Sequence, residues 1–169
     1  MLKQLQSALE SIGERAEIIK ALDHEKKEKD IIIIHHGNFN IILIPVNPTY
    51  VTLLMKIQLR PEDGAVLAKQ TPEFHNEFGF ILRRELMSGR SAFSMVYDES
   101  KKPAELREIN LSQHIVIENF DKNTKQCISY AIQELVNSGL RVSQILGTTF
   151  SSIKGSTSNG KQYDGPMYG

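Results

Sequence analysis

The sequence has little thiol chemistry and no excess of charge of either sign. Cys127 is its single cysteine, which excludes an internal disulfide and a metal site built from several thiolates. Its 20 basic residues balance its 20 acidic residues. A neutral chain has no long-range field that would gather nucleic acid or anionic lipid, so nucleic acid is not the expected partner.

Long apolar segments are also absent. The run Ile41–Ile44 is far shorter than the about 18 residues that a membrane-spanning helix requires. Residues 1–17 carry charges throughout and contain no continuous apolar stretch, which is unlike a secretory signal. We therefore expect a cytoplasmic protein with no membrane contact, and its 169 residues are enough for one domain with a sizeable core.

The first segment, residues 2–22, has the spacing of an amphipathic helix. Apolar side chains recur at steps of three or four residues, at Leu2, Leu5, Leu9, Ile12, Ala16, Ile19 and Leu22. The pattern predicts one helix through the whole segment, with Gly13 as a weakening interior residue. This stripe would pack on a sheet or, because its spacing resembles a coiled-coil seam, against a second subunit.

Residues 30–59 are predicted to form three consecutive strands. Gly37-Asn38 suits a type II′ hairpin turn, and Asn47-Pro48 marks a second turn. The third strand alternates apolar and polar residues, as expected when one face is buried and the other is hydrated. The first two strands, 31–34 and 41–44, are instead apolar on both faces. Such strands need cover on both sides, from helices or from a partner subunit.

The rest of the chain alternates helices with strands. Residues 60–88 are predicted as two helical pieces, the second of them capped by Thr71. Strands are predicted at 91–97 and 106–118, with a bulge expected near 110–113. A last helix is capped by Asp121.

The predicted order is helix, three strands, helix, two strands, helix. It indicates an α+β domain with a single, mostly antiparallel sheet of five strands and with the helices packed on that sheet. The domain is expected to span residues 1–146. Residues 147–169 are rich in glycine and serine and poor in aliphatic residues, which is typical of a C-terminal tail.

Catalytic, cofactor and metal motifs are not found. The sequence contains no phosphate-binding glycine loop and no nucleophile elbow. His35 and His36 are adjacent on a strand, so their side chains are expected on opposite faces rather than on one metal ion. The other histidines show no local metal-ligand spacing: His24, His75 and His114.

Cys127 falls near the start of the last predicted helix. It is expected to be a buried small residue. The alternative is a nucleophile whose pKa is lowered by the helix N-terminus or by His114, which is not far upstream in the sequence. Because the sequence contains no catalytic or cofactor motif, the chain is predicted not to be an enzyme and to hold no cofactor.

The order α-β-β-β-α-β-β-α and the hydrophobic pattern of residues 1–146 resemble the type III secretion chaperone-like fold. In particular, the chain resembles the small archaeal domains of unknown function grouped with that fold. Secretion chaperones of this fold are homodimers that bind extended segments of client proteins. The resemblance implies a homodimer with a protein or peptide client, and it implies no site residue.

The leading hypothesis is a non-enzymatic, chaperone-like, homodimeric protein-binding module. Its partner interface is predicted on the first helix and the two doubly apolar strands, at Leu5, Leu9, Ile12, Ile32, Ile34, Ile42 and Ile44. The alternative is a regulatory protein that binds a small molecule or nucleic acid on the concave side of the sheet.

Overall fold

The computed structural model describes residues 1–22, 26–87, 91–117 and 120–158. Helices and strands follow one another along the chain in the order α1 (Leu2–Ser11), β1 (Arg15–Leu22), β2 (Glu28–His36), β3 (Phe39–Asn47), β4 (Tyr50–Gln58), α2 (Pro61–Ala68), α3 (Pro72–Met87), β5 (Ala92–Asp98), β6 (Glu105–Val116) and α4 (Lys122–Ser158).

The strands form one antiparallel sheet in the order β1-β2-β3-β4-β6-β5. This confirms the predicted α+β class with a single antiparallel sheet. The predicted number of elements is wrong, since the described residues form six strands and four helices rather than five and three. The additional strand is β1. The additional helix is α2, because the predicted order counts the two helical pieces over residues 60–88 as one helix.

A Schellman motif ends α1 and corrects the prediction of one helix over residues 2–22. The N–H of Glu14 donates to the carbonyl of Leu9 at 3.0 Å, and the N–H of Gly13 donates to the carbonyl of Glu10 at 3.0 Å. These are the two hydrogen bonds of that motif. Gly13 has a φ of 89°, a conformation that glycine adopts without strain.

The residues after this stop form β1, at one edge of the sheet. They pair with β2 from Arg15 opposite His35 to Leu22 opposite Glu28. A spacing of three puts residues of a helix on one stripe but residues of a strand on opposite faces. The apolar pattern of the first segment therefore spans two elements of different type.

The predicted three-strand meander is confirmed as β2, β3 and β4. Gly37 has a φ of 57°, as the first central residue of a type II′ turn requires. Pro48 lies in the turn between β3 and β4. The β3–β4 register shifts between Pro45 and Asn47, which makes Val46 a bulge residue where the ladder is interrupted.

Two predicted helix caps are confirmed. The N–H of Phe74 donates to Thr71 Oγ1 at 3.3 Å at the start of α3. The N–H of Thr124 donates to Asp121 Oδ1 at 2.8 Å at the start of α4. Each side chain satisfies a donor that the first helical turn leaves unpaired.

β6 is one strand of 12 residues, and its irregularity is not where the sequence indicated. The β5–β6 register shifts between Val96 and Tyr97 and leaves Arg107 as the extra residue of a bulge. Residues 110–113 pair regularly with β4, so the bulge predicted there is wrong.

α4 continues to Ser158, so the predicted domain boundary at residue 147 falls inside a helix. Thr149 and Ile153 are 1% and 7% exposed, which places this part of α4 against the core. The rest of the predicted tail, 159–169, lies outside the described residues. In the described ranges, no helix combines the length and the apolarity that crossing a membrane requires.

α4 approaches the sheet closely. A Cβ added at Gly139 would lie 2.7 Å from Sδ of Met55 on β4 and 3.5 Å from the ring of Phe39 on β3. Glycine at this position therefore lets the helix and the sheet share one densely packed core.

Burial alternates along the strands, which shows that the helices cover one face of the sheet. On β4, Val51, Leu53 and Met55 are at most 1% exposed, whereas Thr52 and Leu54 between them are half-buried. The same alternation occurs on β3. Within the part of the chain that the structure describes, no helix packs on the second face, which we call the open face.

Candidate interaction surface

The side chains predicted for a partner interface separate into two groups. Members of the first group are 0% exposed within the core of the single chain: Leu5, Leu9, Ile32 and Ile34. Ile12 is partly buried at the margin of that core. A partner cannot reach a fully buried side chain, so the structure corrects this part of the predicted interface. Ile42 and Ile44, by contrast, lie on the open face.

The open face carries an apolar patch at its centre. The strand register places half-buried side chains side by side on β2, β3 and β4: Ile33, Ile42 and Leu54. A second row, two residues further along the strands, contains Ile19, Ile31 and Ile44. We call the residues of these two rows the apolar patch. A sheet face that meets water usually presents polar side chains, so the patch is unusual for a hydrated surface.

A polar row crosses the whole sheet beside the apolar patch. The register aligns one residue from every strand, in the order of the sheet: Arg15, His35, Asn40, Lys56, Asn110 and Ser94. Asn40 on β3 is placed opposite Lys56 on β4 by extending the register of the Ile41–Met55 pair by one residue. We call these residues the polar row.

His35 contacts two residues on the open face, Asn40 and Glu17. Its Nδ1–H donates to Asn40 Oδ1 at 2.9 Å. Its Nε2 lies 3.5 Å from a carboxylate oxygen of Glu17, which also accepts a hydrogen bond from Arg15 at 3.1 Å.

The other half of the polar row contains an unsatisfied acceptor. Lys56 Nζ lies 3.6 Å from a carboxylate oxygen of Glu108 on β6. Asn110 Oδ1 is buried and has no hydrogen-bond partner among the described residues. A buried carbonyl oxygen without a donor costs free energy, so this row holds an acceptor that the single described chain leaves unpaired.

His36 points to the face opposite to that of His35, which confirms the expectation from their adjacency. Its Nδ1 lies 2.8 Å and 3.0 Å from the two carboxylate oxygens of Glu14. This contact ties the turn between α1 and β1 to the end of β2, so its role is structural.

His114 belongs to the open face. Its Nδ1 lies 3.0 Å from Thr52 Oγ1 on the neighbouring strand. Its ring stacks on Tyr50, with a centroid distance of 5.6 Å and an interplanar angle of 17°. Thr52 and His114 continue the row of Ile31 and Ile44 across β4 and β6, so this row changes from apolar to polar, and Tyr50 lies beyond it.

Cys127 is exposed on α4, which corrects the prediction that it is buried. The next residue, Ile128, is the one that enters the core. His75 lies on α3, and His24 is outside the described residues. Across the described ranges, no three His, Cys, Asp or Glu side chains gather into a group that could hold a metal ion.

A cleft of about 490 Å³ lies away from the open face's centre, between the β4–α2 junction and the β5–β6 loop. Its charged lining residues are Arg60, Arg107, Lys101, Asp98 and Glu105. Arg60 is held by Asp63 at 2.7 Å, and this hydrogen bond raises the pKa of Arg60. Hydrogen bonds from Ser100 lower the pKa of Asp98. The cleft therefore mixes charges of both signs.

No protein-family model matches the chain, and no curated protein matches its sequence. Among solved structures, the chain is similar to the crystal structure of an uncharacterized protein from Methanothermobacter thermautotrophicus. The TM-score is 0.68 at 15% sequence identity, over 88% of this chain and 97% of that one. At this identity the similarity shows the fold alone. The resemblance to secretion chaperones stays a prediction.

Proposed function

We propose that this chain is a non-enzymatic, cytoplasmic protein-binding module that assembles as a homodimer through its open face. The observation that carries the proposal is the apolar patch, which no helix of the described chain covers. Ile33, Ile42 and Leu54 occupy positions where a hydrated antiparallel sheet would present polar side chains. The chaperone-like part of the proposal, in which the dimer binds a protein or peptide client, comes from the sequence resemblance alone, and the observed element order differs from the one that carried it by β1 and α2.

The dimensions of the open face suit a second copy of the chain. Six strands spaced at about 4.8 Å give a width of about 29 Å, and nine residues per strand give a length of about 30 Å. The resulting area of about 850 Å² per copy matches the about 800 Å² that each partner contributes to a standard stable interface. Two such sheets would pack face to face with their helices outside.

The charges support the same partner. A surface that binds its own copy must not carry charge of one sign, because the copies would repel each other. Arg15 lies 3.1 Å from Glu17 on this face, and Lys56 lies 3.6 Å from Glu108. The basic side chains of the polar row are thus balanced by neighbouring carboxylates.

Sedimentation equilibrium tests the homodimer. At micromolar concentration we expect the wild type at twice the chain mass of 19.1 kDa. The substitution Ile42→Lys should shift the protein to monomers, because it places a charge without a partner at the centre of the interface. Leu54→Lys is a second variant at the same place, and circular dichroism verifies that each variant is folded.

Phe80→Lys is the matched control. Phe80 is 63% exposed on α3, outside the proposed interface. Lysine there also replaces an apolar side chain by a charged one. This variant should remain dimeric. A monomeric wild type, or equal dissociation of the Ile42 and Phe80 variants, would contradict the proposal.

A second candidate function is regulation by a small molecule bound in the cleft. Its volume of about 490 Å³ lies within the range of about 300–1,000 Å³ typical of ligand sites. Thermal stabilisation of the wild type by a charged metabolite, lost in Lys101→Ala, would favour this function. A gel shift that survives physiological salt would favour nucleic acid instead.

A further inference from the structure

We propose that the two-fold axis of this homodimer runs parallel to the strands, between β3 and β4, so that the polar row of one copy lies over the polar row of the other. The inference rests on the proposed function, because it specifies how two copies meet on the same open face. Sheets that pack face to face keep their strands roughly aligned or cross them at right angles. An aligned pair of identical sheets needs an axis either parallel or perpendicular to the strands.

An axis parallel to the strands reverses the order of the strands but leaves each row of side chains at the same position along the strands. The sheet order β1-β2-β3-β4-β6-β5 has its centre between β3 and β4. The axis therefore lays β1 over β5 of the second copy, β2 over β6 and β3 over β4. Each row of side chains faces itself in reversed order.

The polar row is complementary to itself under this exchange. A basic side chain meets a neutral side chain that carries an acceptor oxygen in every pair: Arg15 with Ser94, His35 with Asn110, and Lys56 with Asn40. Like charges do not meet in any of these pairs. Asn110 brings the carbonyl oxygen that has no hydrogen-bond partner among the described residues. His35 Nε2 is likewise buried without a hydrogen-bond partner among those residues. In the tautomer that donates Nδ1–H to Asn40, Nε2 is an acceptor, so the amide N–H of Asn110 can donate to His35 of the second copy.

The centre of the apolar patch is matched as well. Ile42 on β3 and Leu54 on β4 flank the axis, so each lies over the other residue of the second copy. Ile33 lies over Ser112, which occupies the same row on β6. At the end of the same row Glu17 lies over Ala92, and in the second row Ile44 lies over Thr52. Apolar contacts thus lie at the middle of the interface and polar side chains around it, as in stable protein interfaces.

An axis perpendicular to the strands lays every strand over itself, and it gives poorer pairs at three positions of the axis along the strands. Through the polar row it sets Lys56 over Lys56. If the axis runs through the row of Ile33 and Ile42, Arg15 lies over Ile19 of the second copy. If the axis runs between the two apolar rows, His35 lies over Lys29. These arrangements bring cations together or bury a cation against an apolar side chain.

Cross-linking with paired cysteines tests the axis. The protein carries Cys127→Ser, because Cys127 is exposed and would react. Ile33→Cys and Ser112→Cys are then combined in one chain. These positions are separated by three strand spacings, about 14 Å, within a copy, which a thiol-reactive linker of about 8 Å does not span. Under the proposed axis they face each other across the interface.

The double variant is expected to yield a covalent dimer, and Ile33→Cys alone is expected to yield none. Covalent dimers from Ile33→Cys alone would overturn the proposed axis. So would the absence of cross-linking in a double variant that still sediments as a dimer. If the double variant fails to dimerise, His35→Cys with Asn110→Cys repeats the test in the neighbouring row. A monomeric wild type in sedimentation would instead overturn the homodimer, so the two failures are distinguishable.

Discussion

Gly64 on α2 lies against the backbone of β6. An added Cβ would lie 2.6 Å from the carbonyl oxygen of Leu106, closer than such atoms approach without displacement. We expect Gly64→Ala to lower the free energy of unfolding by about 1–3 kcal/mol, because α2 must move away from the sheet. Urea denaturation followed by circular dichroism measures this change.

Gly79 on α3 is the control, since nothing lies within 4 Å of the position of its Cβ. Gly79→Ala should raise the free energy of unfolding by up to about 1 kcal/mol through the higher helix propensity of alanine. Equal effects of the two substitutions would contradict the close contact between α2 and β6.

Asp121 caps α4 as a charged acceptor. The hydrogen bond from the Thr124 N–H lowers the pKa of Asp121 below its ordinary value. A carboxylate with a lowered pKa in the folded state adds stability that is present above its unfolded-state pKa. This stability is lost as the pH falls through the folded-state pKa.

Asp121→Asn keeps a neutral capping oxygen and removes the titration. As the pH falls through that acidic range, we therefore expect the wild type to lose free energy of unfolding relative to Asp121→Asn. Urea denaturation of both proteins at neutral pH and at several acidic pH values measures it. A difference that does not change with pH would contradict a charged cap.

Local chemistry was sufficient to predict Thr71, Asp121 and Gly37, because a cap or a tight turn depends on a few neighbouring residues. It was not sufficient for Gly13 or Cys127. A glycine is compatible with a helix interior and with a helix end, so its backbone angle decides between them. The exposure of Cys127 depends on which stripe of α4 faces the sheet.

At the scale of elements, the end of α4 shows tertiary packing overriding composition. Residues 147–158 contain glycine and several serines, which favour a tail in isolation. The structure buries Thr149 and Ile153 on one side of the helix. Most of the stability of a helix comes from such packing rather than from intrinsic propensity, and the sequence pattern of so few apolar residues did not reveal it.

Ile153→Ala tests this end of α4. We expect a loss of about 2 kcal/mol in the free energy of unfolding, because a side chain that is 7% exposed leaves a cavity in the core. Thr148→Ala, at the exposed neighbouring turn, should change stability by less than about 0.5 kcal/mol. Equal stability of the two variants in thermal denaturation would mean that residues 147–158 form a tail after all.

At the scale of the whole molecule, the sequence predicted strands apolar on both faces and a need for cover on the second face. The structure places Ile33, Ile42 and Ile44 on that face, beside the polar row. The polar row itself was beyond prediction. Its alignment depends on the register of strands far apart in sequence, such as β4 with β6, and long-range packing rather than local pattern fixes that register.

The homodimer is tested most directly by the solvent accessibility of isoleucine methyl groups in solution. A soluble paramagnetic chelate broadens the NMR signals of methyl groups that it can reach. At concentrations where the protein sediments as a dimer, we predict that Ile33, Ile42 and Ile44 are protected as well as Ile32, which is 0% exposed in the core. Ile18, 36% exposed at the edge of the sheet, should broaden. Broadening of the Ile33, Ile42 and Ile44 methyl signals clearly beyond that of Ile32 would contradict a covered open face, because these side chains are half-buried, not fully buried, in the single chain.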